Sequence, residues 1–461
     1  MVILGLARQG VALARYLAQA GARVTVSDVQ AEDDLVDRLE QLADLPIRYA
    51  LGGHPLSLLD DADLLCLSGG VPVDIPIVEE ARRRAIPLSN DAQIFLDRCK
   101  APVVGITGSA GKTTTTALVG EMCRVAGLQT WVGGNIGNPL ITDLASMARE
   151  DRVVMELSSF QLELMTTSPH IAAVLNITPN HLDRHRTMEA YIAAKRNIIA
   201  HQTGEDLAVL GYDDANARAL ALETPAQLLF FSGGAEVEAG AFKTNGELTL
   251  RMDGRDREIC KASEVRLLGK HNLLNILAAS TLATLAGVDL AAIRQVATTF
   301  TGVDHRLELV HREKGVRWYD DSIATAPERA IAALRSFEEP IVLLAGGRDK
   351  DLPWATFAKE AVRRVRWLVT FGEAGSMIAR KVEEALKAGS SSAGGAQDES
   401  RALAGITSVD TLEQAVEAAA GVVQSGDVVL LSPGGTSFDA FRDFAERGDR
   451  FEEIVLELHG K

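Results

Sequence analysis

Short apolar runs recur along the chain. Each breaks into Gly, Ser, Thr, Asn or Asp before a stretch whose apolar residues return every three or four positions. That alternation predicts strand, turn and helix in repetition, the pattern of mainly parallel α/β sheets. It starts at once: VILGL precedes ARQG and VALARYLAQAG, and ARVTVSD supplies a second strand ending at Asp28. DLLCLSGGVP, APVVGIT, RVVMELSSFQLE and HIAAVLNITPNH follow, the last before the helical stretch TMEAYIAAKRNIIAHQ. Residues 204–260 change character, with short strands between Gly- and Asp-containing turns. The earlier habit resumes in GVRWYDDSIATAPERA, PIVLLAGGRDK, RWLVTFG and DVVLLSPGGTSFDAF. At roughly 150 residues per domain, a chain of 461 residues is expected to hold three. They are placed at 1–95, 96–303 and 304–461: a Rossmann-like α/β domain, a central domain with a mainly parallel sheet, and a second Rossmann-like domain. The glycine of FTGVDHR reads as a hinge before the third.

The densest candidate chemistry lies in residues 101–116, APVVGITGSAGKTTTT. A buried strand there runs into a small-residue loop and then a helix, an order that gathers backbone N–H groups and a helix N-terminus around an anion. Gly108, Ser109, Ala110 and Gly111 form the loop; Lys112 supplies a point charge, and Thr113 a hydroxyl for Mg²⁺, beside Thr114. The match to G-x-x-x-x-G-K-[ST] is imperfect because Ile106 stands where the first glycine belongs. A turn merely rich in Gly and Thr fits the same letters, but the strand before and the helix after favour a nucleoside triphosphate.

Open α/β sheets bind ligands at the carboxyl ends of their strands, so polar residues there are the next candidates. Glu156 ends one strand and precedes Ser158; it reads as a Mg²⁺ ligand or as an exposed strand-end glutamate. Asn135 sits among the glycines of GGNIG, and Asn176, His181 and Asp183 follow another strand. Lys195 shares a helix face with Tyr191, Ile192, Ile198 and Ile199. Either its ammonium snorkels outward, or burial lowers its pKa and frees an amine able to take up carbon dioxide as a carbamate. Asn272 and Asn275, at a helix start, read as caps or as ligand contacts. Near the amino terminus, Gly5, Ala7 and Gly10 make a degraded dinucleotide fingerprint that a structural βαβ turn explains equally well. Ser68 and Gly69 end a neighbouring strand. The first strand begins so close to Met1 that a natural start a few residues upstream is expected. In the last third, His305-Arg306, Asp320-Asp321-Ser322, Arg348-Asp349-Lys350 and residues 432–437 all fall at strand or loop ends. KAGSSSAGGAQDES reads as a surface loop without a catalytic role.

Composition narrows the class. The chain is 47% apolar and 24% charged, with net charge −16, which disfavours a nucleic-acid or anionic-membrane partner but not a phosphate ligand at a local positive site. No apolar run is long enough to span a membrane. Cys66, Cys99, Cys123 and Cys260 are scattered and read as reduced and mostly buried. A cytoplasmic, monomeric enzyme is expected.

Taken in order, TGSAGKTTT, GGNIG, ELSSFQLE, NITPNHLDRH, AAKRNII, GKHNLLN, FTGVDHR, DDSIATAP and LLSPGGTSFDAF resemble the Mur ligases of peptidoglycan synthesis over essentially the whole chain. GGNIG with ELSSFQLE points to the branch that adds D-glutamate. The resemblance implies a UDP-binding domain, a central ATPase and a mobile amino-acid domain. It also implies ATP-dependent amide formation between UDP-N-acetylmuramoyl-L-alanine and D-glutamate through an acyl phosphate. Lys112 would hold the β- and γ-phosphates; Thr113 and Glu156 would bind one Mg²⁺, and His181 with carbamylated Lys195 a second. Asn272, Asn275, Arg306 and Asp321 would contact ATP. Arg8, Gln9, Asp28, Val29, Ser68, Gly69, Asn135, Ser158 and His181 would hold the UDP-substrate, and Thr325, Lys350, Ser437, Phe438 and Phe444 the D-glutamate. Many members carry Lys where this chain has Ile323, so that cation is missing. Three other readings remain open: a related amide ligase of Mur or folylpolyglutamate type with another acceptor, a non-ligating P-loop ATPase, and a nicotinamide dehydrogenase.

Overall fold

Strands β1 (Val2–Leu4), β2 (Thr25–Asp28), β3 (Arg48–Leu51), β4 (Leu65–Leu67) and β5 (Leu88–Ser89) pair in parallel in the order β3-β2-β1-β4-β5. β1 and β4 are wholly buried, as uninterrupted apolar runs require in a sheet covered on both faces. The structure is a computed structural model that describes every residue except Leu268, Lys350, Asp351, 393–402 and Lys461. Strand order reverses between β1 and β4, which opens a crevice after them, where Arg8 and Gln9 begin the helix Arg8–Gln19 and Ser68 and Gly69 follow β4.

The second sheet has nine strands: β6 (Val103–Thr107), β7 (Thr130–Gly134), β8 (Arg152–Glu156), β9 (Ile171–Val174), β10 (Leu207–Gly211), β11 (Gln227–Ser232), β12 (Gly240–Thr244), β13 (Glu247–Met252) and β14 (Arg255–Lys261). Their order is β14-β13-β12-β11-β10-β9-β6-β8-β7. The run from β7 to β12 is parallel, and only β13 and β14 are antiparallel. The change of habit in residues 204–260 thus extends the parallel sheet and ends it with two hairpins. Asn245-Gly246 and Asp253-Gly254, all at positive φ, are the two-residue turns that force antiparallel return. Helices Lys112–Val125, Lys270–Leu285 and Leu290–Thr299 cover one face; Met188–Ala200 and Asp91–Arg98 cover the other.

The third sheet contains β15 (Glu308–Glu313), β16 (Val316–Asp320), β17 (Ile341–Gly346), β18 (Val365–Phe371), β19 (Gly405–Ser408) and β20 (Val428–Gly434), in the order β15-β16-β20-β17-β18-β19. All are parallel except the edge strand β15. Apolar clusters lie on both faces. The three α/β sheets are those expected from the alternation. Contacts group the chain into two compact units, Met1–Phe300 and Thr301–Lys461. Among the described residues no helix is long and apolar enough to cross a membrane. Cys66, Cys123 and Cys260 are buried and Cys99 half-buried, all as free thiols.

Candidate active site

In the first unit, the loop after β6 lies at the point where the central sheet reverses direction, between β6 and β9. Asn176, just past β9, ties it down: its Oδ1 accepts from Ala110 N at 2.9 Å, and its Nδ2 donates to Ala110 O at 3.0 Å. Ser109 N donates to Asn176 O, and Ser109 Oγ bonds both Thr178 O (2.9 Å) and Tyr191 Oη (3.0 Å). The Ser109 and Ala110 amides, expected to face phosphate, are thus engaged within the protein. The open end of the loop is the N-terminus of the helix Lys112–Val125. Asn275 reaches this helix, with its Oδ1 3.5 Å from Thr115 Oγ1. The cap reading of the asparagines is corrected: Gly269 caps the helix Lys270–Leu285, and Asn275 Nδ2 donates to Asn272 Oδ1.

Glu156 is buried, which removes the alternative of an exposed strand-end glutamate. One carboxylate oxygen accepts from Thr113 Oγ1 at 2.9 Å and the other from Asn135 Nδ2 at 2.8 Å. Ser158, expected to face substrate, caps the short helix Ser159–Leu162 in a capping box with Gln161. Lys195 is also buried: its Nζ donates to Gly108 O at 2.9 Å, contacts Thr107 Oγ1 at 3.3 Å and lies over the Tyr191 ring. Lys112 Nζ donates to the same Gly108 carbonyl. Burial first, and the Lys112 charge second, hold the Lys195 pKa well below the usual ammonium range, against the pull of Glu156. The snorkelling alternative fails because Tyr191, Ile198 and Ile199 lock that helix face inward. Burial of each such side chain is worth roughly 2 kcal/mol.

His181 is exposed, at a left-handed backbone position with its ring edge-on to Phe160. His185, which the motif reading left out, is the buried one, stacked on Phe160 and 3.0 Å from Ser159 Oγ. Arg184 of the same segment reaches the β4 loop, donating to Gly70 O and Val71 O. At the end of β2, beside the β1–β4 crevice, Asp28 is buried and accepts from Leu6 N (2.7 Å) and Gln30 N (3.0 Å). Gln9 Oε1 accepts from Gly69 N, and Ser68 is buried. Arg8 and Val29 are exposed.

In the second unit, Asp321 is buried; its carboxylate accepts from Ser432 Oγ at 2.8 Å. Burial raises its pKa to about 7, which Ser432 and the Arg306 charge oppose. Arg306 lies in the turn that begins at Val303. Gly434 N donates to Ala324 O, which draws the turn after β16 toward residues 434–437. Ser437 is buried there, Thr325 and Phe444 are half-buried, and Phe438 is exposed. Lys350 lies outside the described residues. Sequence reading passed over Arg447, which is fully buried and donates to Ser322 Oγ, Ser322 O and Gly435 O. It also passed over the 2.7 Å contact between His305 Nδ1 and Asp320. One signal was available: Gly448, inside an otherwise helical pattern. A β-carbon there would run into His305 Nδ1 and Asp320 Oδ2.

Family models for three segments match the chain: the Mur ligase MurD-like N-terminal domain over 1–89, the Mur ligase middle domain over 106–283, and the Mur ligase glutamate ligase domain over 305–435. The UDP-N-acetylmuramoylalanine–D-glutamate ligase of Symbiobacterium thermophilum is 44% identical over 459 residues, 99% of this chain and 97% of that protein. The protein of the same name from Acetivibrio thermocellus is 40% identical over 455 residues, 99% and 96% of the two chains. Among solved structures, UDP-N-acetylmuramate–alanine ligase MurC from Thermotoga maritima superposes with a TM-score of 0.54 at 21% identity, covering 99% of both chains. MurF from Acinetobacter baumannii gives 0.57 at 18%, covering 95% of this chain and 91% of that one. These two likenesses bear on the fold alone.

Proposed function

Because the chain belongs to the Mur ligase family, we propose that it joins D-glutamate to the alanyl carboxyl group of UDP-N-acetylmuramoyl-L-alanine at the expense of ATP. The names and full-length identity of its relatives support this choice of substrates. The observation that carries the chemistry is the buried Glu156 carboxylate seated against Thr113, at the head of a helix whose first residue is Lys112. A carboxylate is a poor electrophile, so it is activated first. An alanyl carboxylate oxygen bonds to the γ-phosphorus as the bond from that phosphorus to ADP breaks. The D-glutamate nitrogen then attacks the acyl carbon, phosphate departs, and the nitrogen gives up a proton.

The residues present fit Mg²⁺. Thr113 and Glu156 offer hard oxygen donors, and Lys195 becomes a third oxygen donor once it is a carbamate. Its buried, charge-disfavoured amine attacks carbon dioxide and releases one proton to give that carbamate; His181 is proposed as its partner. Bound there, Mg²⁺ would supply charge neutralisation between the anionic carboxylate and the phosphates. Lys112 would compensate the charge that develops on the departing nucleotide. Asn135, held by Glu156, and the β1–β4 crevice with Arg8, Gln9, Asp28, Val29, Ser68 and Gly69 are proposed for the UDP-substrate. Ser158 is assigned only the fixing of the loop beside Glu156. In the second unit, Arg306 and Asp321 are proposed for ATP, and Thr325, Ser437, Phe438 and Phe444 for D-glutamate, with Lys350 outside the described residues.

Incubating the protein with ATP, UDP-N-acetylmuramoyl-L-alanine and single amino acids tests the reading. Phosphate release that depends on D-glutamate, with a product heavier by one glutamyl residue, is expected. Release confined to L-amino acids, or ATP hydrolysis without an amide product, would overturn it.

A further inference from the structure

His311 and Glu313 are two positions apart on β15, so their side chains leave the same face of the sheet. The register sets Glu313 opposite Val316, at the end of β16 away from Asp320. His459 caps the carboxyl end of the helix Phe444–Leu458, 12 residues beyond Arg447 and thus roughly 18 Å along the helix axis. The three residues therefore meet at the opposite end of the strands from Asp321, Ser432 and Arg447. The His459 ring stacks on His311 with centroids 4.2 Å apart. Its Nδ1 lies 2.7 Å from Glu313 Oε2, and its Nε2 is buried with no hydrogen-bond partner among the described residues. One donor atom from each of His311, Glu313 and His459 lies within 4.8 Å of the other two.

The geometry points to a metal site here, separate from the ATP-dependent chemistry: a divalent transition-metal ion of the zinc class held by His311, Glu313 and His459. Two imidazoles with one carboxylate suit zinc and its neighbours, whereas Mg²⁺ favours an all-oxygen set. Trp318 stands edge-on to His459, and His311 is buried, so the imidazoles are partly shielded from water. The helix end at His459 carries partial negative charge, which favours a cation. Lys314, 3.2 Å from Glu313 Oε1, competes only weakly because its ammonium is exposed. Three protein donors leave one position for water or an outside ligand. The ion would clip the edge strand β15 to the end of the helix that packs on it.

The experiment uses the full chain in excess Mg²⁺, which keeps hard-oxygen sites from taking the probe. Zn²⁺ is titrated against a chromogenic chelator, and Co²⁺ binding is read by visible absorption. Wild type is expected to bind one more equivalent of Zn²⁺ than His459→Gln or Glu313→Gln, or to bind it at least tenfold more tightly. It should also show nitrogen–oxygen d–d bands with Co²⁺ that both variants lack. His311→Gln joins the comparison if circular dichroism finds it folded; the other two substitutions are at partly exposed side chains. Equal Zn²⁺ stoichiometry and affinity with identical Co²⁺ spectra in wild type and folded variants would overturn the site, leaving a hydrogen-bonded His–Glu pair.

Discussion

Lys195 is the side chain on which the proposed chemistry of the first unit is most directly tested. Its amine, Lys112 and the loop share the Gly108 carbonyl, so a second ammonium there is disfavoured twice, by burial and by repulsion. Lys195→Ala is expected to lower product formation by roughly a hundredfold or more, as loss of a charge-organising group does. Short-chain carboxylic acids should restore part of the rate by occupying the vacated oxygen position. Full activity of the alanine variant, in the same phosphate-release assay, would remove Lys195 from the mechanism. His305 allows a test through pH. Burial alone would lower its pKa, but the Asp320 hydrogen bond, aided by Asp449 and Glu452, outweighs burial and raises it to about 9. Because the folded value lies above the ordinary value near 6.5, the stabilisation is complete below pH 6.5. It fades as pH rises through 9. His305→Gln should therefore destabilise the second unit by on the order of 2 kcal/mol at pH 6 and hardly at all at pH 10. Denaturant melts at the two pH values decide; an equal loss at both would assign His305 a packing role only.

At the scale of elements, the candidate phosphate loop is held by a residue just past a neighbouring strand. Asn176 fixes Ala110 in both directions, so the loop is shaped before any phosphate arrives. Asn176→Ala should raise the KM for ATP about tenfold while costing roughly 1 kcal/mol of stability, the ordinary worth of such hydrogen bonds. Nucleotide titration and thermal melting separate the two effects. The β1 turn behaves differently. The helix Arg8–Gln19 packs so closely on it that a β-carbon at Gly10 would overlap the Gly5 carbonyl oxygen. Asp28 accepts the Leu6 amide beside it. The degraded fingerprint thus has a packing role, whatever ligand the crevice takes. Gly10→Ala should destabilise the first unit by about 2 kcal/mol through overpacking, read by calorimetry.

At the scale of the whole molecule, each compact unit carries its own sheets and apolar clusters. Calorimetry is expected to resolve two transitions, with Gly10→Ala moving one and His305→Gln the other. A single transition shifted by both substitutions would mean that the units unfold together. The α/β class and the order of strands and helices were readable from the alternation of apolar runs and turn residues, because strand and helix periodicities are local. So were the candidate loop, Glu156 and the oddity of Lys195, since each stands at a strand end or on an apolar helix face. What periodicity leaves open is which neighbour a polar side chain finds, as with Ser158, Asn272, Asn275 and Asn176. Partners brought together across long stretches of chain, such as Arg447 with Ser322, His305 with Asp320 and His311 with His459, leave no local signature. The linear chain determined the layers, the strand–loop–helix order around Gly108–Gly111 and the lysine on its apolar face. Only the tertiary structure decided that this lysine is buried beside Lys112, and that Asn176 holds the loop, because desolvation and long-range hydrogen bonds exist only once the sheet has closed over them.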